Sequence, residues 1–158
     1  MTSRSTPPKP SDSTRKPIPA RDGYRHFATI PSRWADNDVY GHINNAVYYF
    51  YFDTAVNRYL IDHGGLVIAE SQTVGVVIET GCRYHKSFTY PEDIEAGIRV
   101  VHLGSSSVRY EVGLFADGET AARADGHFVH VYVDRATMRP VPIPATTRAA
   151  LERILVQP

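Results

Sequence analysis

Residues 34–60, WADNDVYGHINNAVYYFYFDTAVNRYL, constrain this chain more than any other stretch. The first half sets Asp36, Asp38, a Gly41-His42 pair and Asn44-Asn45 close together, all residues that favour turns over regular structure. The second half is apolar or aromatic on nearly every side, with Asp53, Asn57 and Arg58 the first clearly polar positions. A helix apolar almost all round is normally enclosed by other elements. Stability alone does not call for a polar, turn-rich segment feeding straight into such a helix. It reads as an active-site loop delivered to the N-terminus of a buried helix over residues 45–62. Asn44 is the expected N-cap, because its side chain can accept from a backbone N–H two or three residues on. His63-Gly64-Gly65 is the expected stop, at a C-cap glycine.

Strand patterns surround this helix. Residues 24–33 carry aromatic and β-branched side chains in loose alternation, and Pro31 marks a sheet edge or the strand's end. Residues 74–84 alternate so as to place Val76, Ile78, Thr80, Cys82 and Tyr84 on one face. A turn at Tyr90-Pro91-Glu92-Asp93 precedes a strand over 94–103. Gly104-Ser105-Ser106 leads to another over 108–116, and Asp117-Gly118 to the last, over 120–134. Pro140, Pro142 and Pro144 end regular structure before a short helix over 146–155. One strand, a long helix and four hairpin-linked strands predict an α+β domain, an antiparallel sheet around one helix.

Residues 1–22 are rich in Ser, Thr, Pro and basic side chains, too poor in apolar groups to offset their ordering entropy, so a disordered tail ahead of a domain over 23–158 is expected. Its prolines oppose the amphipathic helix that a transit peptide needs. The formal charge is zero, so no global field draws nucleic acid or an acidic membrane. One cysteine, Cys82, leaves no internal disulfide framework and fits a reducing, cytoplasmic setting. No apolar run approaches the ~20 residues that span a bilayer.

The element order, together with D-x-D-x-x-G-H-x-N-N at Asp36, Asp38, Gly41, His42, Asn44 and Asn45, resembles the hotdog-fold acyl-CoA thioesterases of the 4-hydroxybenzoyl-CoA thioesterase type. Further matches are the aromatic run from Tyr48, the Tyr84 strand with the Pro91-Glu92-Asp93 turn, the hairpin after Gly104 and the closing prolines. The likeness runs from about Tyr24 to the C-terminus. It implies a five-stranded antiparallel sheet wrapped around the central helix, and self-association as a homodimer or homotetramer with sheets joined edge to edge. It implies hydrolysis of an acyl thioester, with acyl-CoA the expected substrate and no metal or organic cofactor. Acyl-carrier-protein thioesterase and non-catalytic acyl-CoA binder are the other classes in play.

The resemblance makes Asp38 either the nucleophile or the base that activates water. It makes the Asn45 N–H the donor to the thioester oxygen, aided by the helix dipole. Related enzymes carry His where this chain has Asn45, and the Asn side chain is no base near neutral pH. His42 has two readings, a proton carrier or acyl contact and a turn residue bonded to backbone. Asp36 reads as a loop-shaping residue and Asn44 as a cap that also borders substrate, with Tyr40 beside it. CoA phosphates call for cations, and the candidates are Arg83 and Lys86 first, then Arg109 and Arg123. Tyr48, Tyr49, Phe50 and Tyr51 could wall the acyl pocket or simply fill the core.

Glu79 reads as a solvated or salt-bridged strand position, and Cys82 as a small core residue rather than a nucleophile. No Gly-x-Ser-x-Gly elbow occurs, which argues against a serine hydrolase. The seven histidines lack metal-ligand spacing, and His127 and His130 fall on opposite faces of a strand, so no metal site is expected.

Overall fold

A computed structural model describes residues 16–157. Five strands, β1 (His26–Pro31), β2 (Thr73–Tyr84), β3 (Asp93–Leu103), β4 (Ser107–Phe115) and β5 (Ala124–Asp134), form one antiparallel sheet in the order β1-β3-β4-β5-β2. Helix α1 (Val47–His63) lies against one face, and α2 (Ala145–Arg153) closes its far end. This is the hotdog architecture that the family resemblance implied.

Alternation along the strands builds the core. Ile94, Ala96, Ile98 and Val100 of β3, and Val108, Tyr110, Val112 and Leu114 of β4, are buried against α1. The helix answers with Tyr48, Tyr51, Phe52, Ala55, Val56, Tyr59 and Leu60, spaced three and four apart as one face of a helix. Phe50, Asp53, Thr54 and Ile61 lie on the open side, so one face of α1, not its whole circumference, is enclosed in this chain. Full burial of a side chain such as Phe52 contributes roughly 2–3 kcal/mol. The helix starts two residues later than expected, because residues 45–46 form a turn before it. It ends as expected: Gly64 N–H and Leu66 N–H both reach the Leu60 carbonyl, at 2.8 and 3.1 Å, and Gly65 takes a φ of 72°.

Two expectations change. In β2 the alternation slips, since Val77 pairs with His130 but Glu79 with Val129, leaving Ile78 as the extra residue of a bulge. Gly75 and Val77 therefore share a face with Thr80, Cys82 and Tyr84, and Val76 turns to the other side. The fifth strand begins at Ala124 rather than 120, because residues 120–122 pair elsewhere. Arg21 N–H reaches the Thr120 carbonyl at 2.8 Å, and Ala122 N–H the Pro19 carbonyl at 3.0 Å.

Most of the expected tail lies outside the described residues. Residues 16–22, which it included, run along the sheet, with Lys16 on Glu111 and Arg21 on Glu95.

Candidate active site

The loop ahead of α1 is held from within by Asp36. Its carboxylate is buried and accepts from Arg33 N–H (2.8 Å), the Arg33 guanidinium (2.7 and 2.9 Å) and the Tyr51 hydroxyl (2.9 Å). Burial acts to raise this carboxyl, but the hydrogen bonds from Arg33 and Tyr51 outweigh it and hold it below the usual carboxylate value. Asp36 is thus the loop-shaping residue that the sequence suggested. Its carbonyl takes Asn44 N–H at 2.8 Å, and Ile43 N–H reaches the Phe88 carbonyl at 2.9 Å, so both strands of the loop are anchored.

Between these anchors the chain turns sharply at Asp38. Gly41 N–H returns to the Asp38 carbonyl at 3.2 Å, and Asp38 N–H reaches the His42 carbonyl at 2.8 Å. Gly41 makes this possible with a φ of 82°, a conformation that an L side chain strains to adopt. One Asp38 oxygen, Oδ1, accepts from Tyr40 N–H at 2.8 Å and more weakly from His42 N–H at 3.4 Å. Among the described residues Oδ2 accepts no hydrogen bond.

Asn44 caps the turn leading into α1, its Oδ1 taking Ala46 N–H at 3.0 Å and its carbonyl Val47 N–H at 2.9 Å. Asn45 follows, and its N–H has no acceptor among the described residues. Its carbonyl is gripped by the Tyr84 hydroxyl at 2.9 Å. Burial pushes the Tyr84 phenol well up, so it stays a donor.

Asp38, His42, Asn45, Tyr48, Tyr84 and Lys86 line one cavity of about 410 Å³, with Ile43, His85 and Ser87 completing it. Of the sequence-derived site residues, Asp38, His42, Asn45 and Lys86 come together here. Tyr40 stands 83% exposed at the loop tip, and both it and Asn44 lie outside the lining. Arg83 lies in a separate cavity of about 350 Å³ with Cys82 and Arg109. Its guanidinium is committed to Asp125 (2.8 Å) and to the carbonyls of Lys16 and Pro17. Arg109 pairs with Glu79, and Lys86 with Glu119. Arg123 is buried between Glu92, Glu119 and the Ser87 carbonyl, which makes it a strut. Tyr84 and His85 enter the lining from outside the D-x-D-x-x-G-H-x-N-N segment. Their one signal was position, at the end of the strand that returns to the loop.

Cys82 packs against the core, and burial raises its thiol to about 11, the opposite of an activated nucleophile. Among the described residues no cluster of three or more His, Cys, Asp or Glu is placed to hold a metal ion. No described helix is long and apolar enough to cross a membrane.

A fold of this topology, with an acidic turn at the head of its central helix, defines a hotdog domain. Residues 32–151 match the sequence profile of the thioesterase-like superfamily, and the chain belongs to that superfamily. It is similar to the solved PA5185 protein of Pseudomonas aeruginosa, at 50% identity over 88% of this chain and 97% of that one, with a TM-score of 0.87. A second P. aeruginosa protein, the candidate thioesterase PA2801, shares 30% identity over 81% and 98% of the two chains, with a TM-score of 0.76. The DHNA-CoA thioesterase of Staphylococcus aureus aligns over 80% of this chain and 86% of its own, with a TM-score of 0.69. At 21% identity that last likeness carries the fold alone. Comparison with curated proteins found no match.

Proposed function

We propose that the protein hydrolyses an acyl-CoA thioester to the free acid and CoA. One observation carries the reading: the Asp38 carboxylate and the Asn45 backbone amide, each with a hydrogen-bonding valence unspent among the described residues, line the same cavity. In this mechanism the thioester oxygen accepts from Asn45 N–H, with the N-terminal end of α1 adding a favourable field. Asp38 Oδ2 then attacks the carbonyl carbon or takes a proton from the water that does. Tyr40 N–H on Oδ1 fixes the carboxylate plane, and Tyr84 on the Asn45 carbonyl fixes the backbone that presents the amide. Removing one donor of this kind costs about 3 kcal/mol of barrier, comparable with many a direct catalytic group. Lys86, exposed and shared with Glu119, and His42 are the lining groups suited to the polar part of CoA.

Self-association fits the same picture. β2 is an edge strand of 12 residues, and Val77 and Ile78 at its centre are 45% and 62% exposed. An open apolar edge of that length is a template for pairing with a second copy.

The test is free-thiol release from short, long and aromatic acyl-CoAs, comparing wild type with Asp38→Ala. Turnover by wild type and its loss in a folded Asp38→Ala supports the assignment. Turnover that survives the substitution moves the chemistry off Asp38. Silence of wild type across the panel rejects acyl-CoA hydrolysis in favour of a carrier-protein substrate or a binding role.

A further inference from the structure

The segment that carries Asp38 also holds large apolar side chains out in solvent. Trp34, the one tryptophan of the chain, opens the short turn Trp34–Asp36 and is 80% exposed, and Val39 and Tyr40 follow it on the same loop. Tryptophan is highly buried on average, because so large a ring is favourably removed from water. Trp34 instead meets Tyr90 edge to face, ring centroids 5.7 Å apart, with most of its ring surface still in water. The core gains little from an indole placed there.

Hydrogen bonds hold this ring pair beside the Asp38 turn. Tyr90 N–H reaches Asn37 Oδ1 at 3.1 Å, and the Thr89 hydroxyl donates to the Gly41 carbonyl at 2.6 Å. Neither ring lines the Asp38 cavity, but Ser87, three residues before Tyr90, does. Three extended residues span at most about 10 Å, so Tyr90 stands within that distance of the cavity wall. A guanidinium adjoins Trp34 in the chain. Arg33 turns Nε and Nη2 to Asp36, while its Nη1 has no acceptor among the described residues and its side chain is largely exposed. Glu92, the acid of the Tyr90 turn, is engaged by Arg123 and by Thr89 N–H. An open aromatic face beside one free guanidinium edge suits a ligand with a planar ring and an anionic group, since rings stack and Arg binds phosphate oxygens. The far end of CoA carries both, an adenine and the phosphate on its ribose.

We propose that Trp34, backed by Tyr90, stacks on the adenine ring of CoA while Arg33 meets a phosphate of that nucleotide. The proposal rests on the acyl-CoA reading of the Asp38 cavity and deepens it. A thioester borne on a carrier protein has the same pantetheine arm but no adenine, so the ring pair selects the nucleotide-bearing substrate. The diphosphate between the two ends then passes Lys86, which is exposed and lines the cavity.

Titration of the full-length protein with adenosine 3′,5′-bisphosphate, the nucleotide end of CoA without its pantetheine arm, tests the site without turnover. Because Trp34 is the only tryptophan, stacking is read as saturable quenching of its fluorescence, and calorimetry gives the affinities of variants. Wild type is expected to show the quenching with the bisphosphate and none with pantetheine. Trp34→Ala, which removes an exposed ring and should fold, is expected to weaken bisphosphate binding about tenfold, the effect of one lost base–aromatic stack. Trp34→Phe keeps a ring and is expected to lose clearly less. No saturable binding by wild type, undiminished affinity in Trp34→Ala, or an equal loss in Trp34→Phe each overturns the proposal. A Trp34→Ala protein with altered sedimentation and undiminished nucleotide affinity assigns the patch to self-association and overturns it too. Asp38→Ala is expected to bind the bisphosphate as wild type does, so a failure of the catalytic reading shows in thiol release and leaves this result standing.

Discussion

Asp36 offers the sharpest test of how the loop is held. Replacing it with Ala removes every acceptor that Arg33 and Tyr51 use there. The two partners pay differently. The Arg33 side chain is 69% exposed and can turn to water, so its ion pair is worth no more than about 1 kcal/mol. Tyr51 is 3% exposed, and its stranded hydroxyl costs roughly 1–3 kcal/mol. Together they predict a loss of about 3 kcal/mol for Asp36→Ala, which for a chain of this size lowers Tm by roughly 10 °C. Tyr51→Phe, which leaves the carboxylate with Arg33, is expected to cost about 1 kcal/mol. The double variant should cost no more than Asp36→Ala, because the hydroxyl that Asp36→Ala strands is gone. The sign with pH is definite. A carboxyl held below its ordinary 3.8 contributes stability that is complete above that value and fades as pH falls through the lowered one. Urea unfolding of the four proteins, repeated down the acid limb, measures all of this. Costs that simply add in the double variant, or an Asp36→Ala loss under about 1 kcal/mol, would refute the reasoning.

Two further outcomes are expected. His130 is buried neutral with its pKa lowered from 6.5 to about 4, so the unfolded chain binds its proton first and stability falls as pH drops between those values. His130→Leu should flatten that part of a pH-stability curve by roughly 3 kcal/mol, and an unchanged slope would show that the imidazole is not held neutral. The open β2 edge predicts a dimer by sedimentation for wild type and a single-chain mass for Ile78→Lys, because a charge on an edge strand opposes pairing; a monomeric wild type contradicts it.

The candidate site was legible where its geometry is local. Asp38, His42 and Asn45 fall within one turn and one cap, whose hydrogen bonds span four residues or fewer. Pattern and turn chemistry suffice for such a segment. Lys86 joined them, while Arg83 did not, because Asp125, far along the chain, claims its guanidinium. The part of Tyr84 was hidden for the same reason: its hydroxyl meets the Asn45 carbonyl across a tertiary gap that no spacing announces.

By itself, then, the sequence determined the elements, their order and the polar turn at the head of α1, since these follow from side-chain period, glycine conformation and capping chemistry over a few residues. Tertiary structure alone decided the rest. It placed the Ile78 bulge that swaps the faces of β2, and it paired residues 19–21 with 120–122 in place of a longer β5. It buried His130 against Gly75, where a Cβ would stand 2.8 Å from its Nδ1. Each of these depends on which distant backbone or side chain stands opposite, and that is set by the packed sheet, not by the local chain.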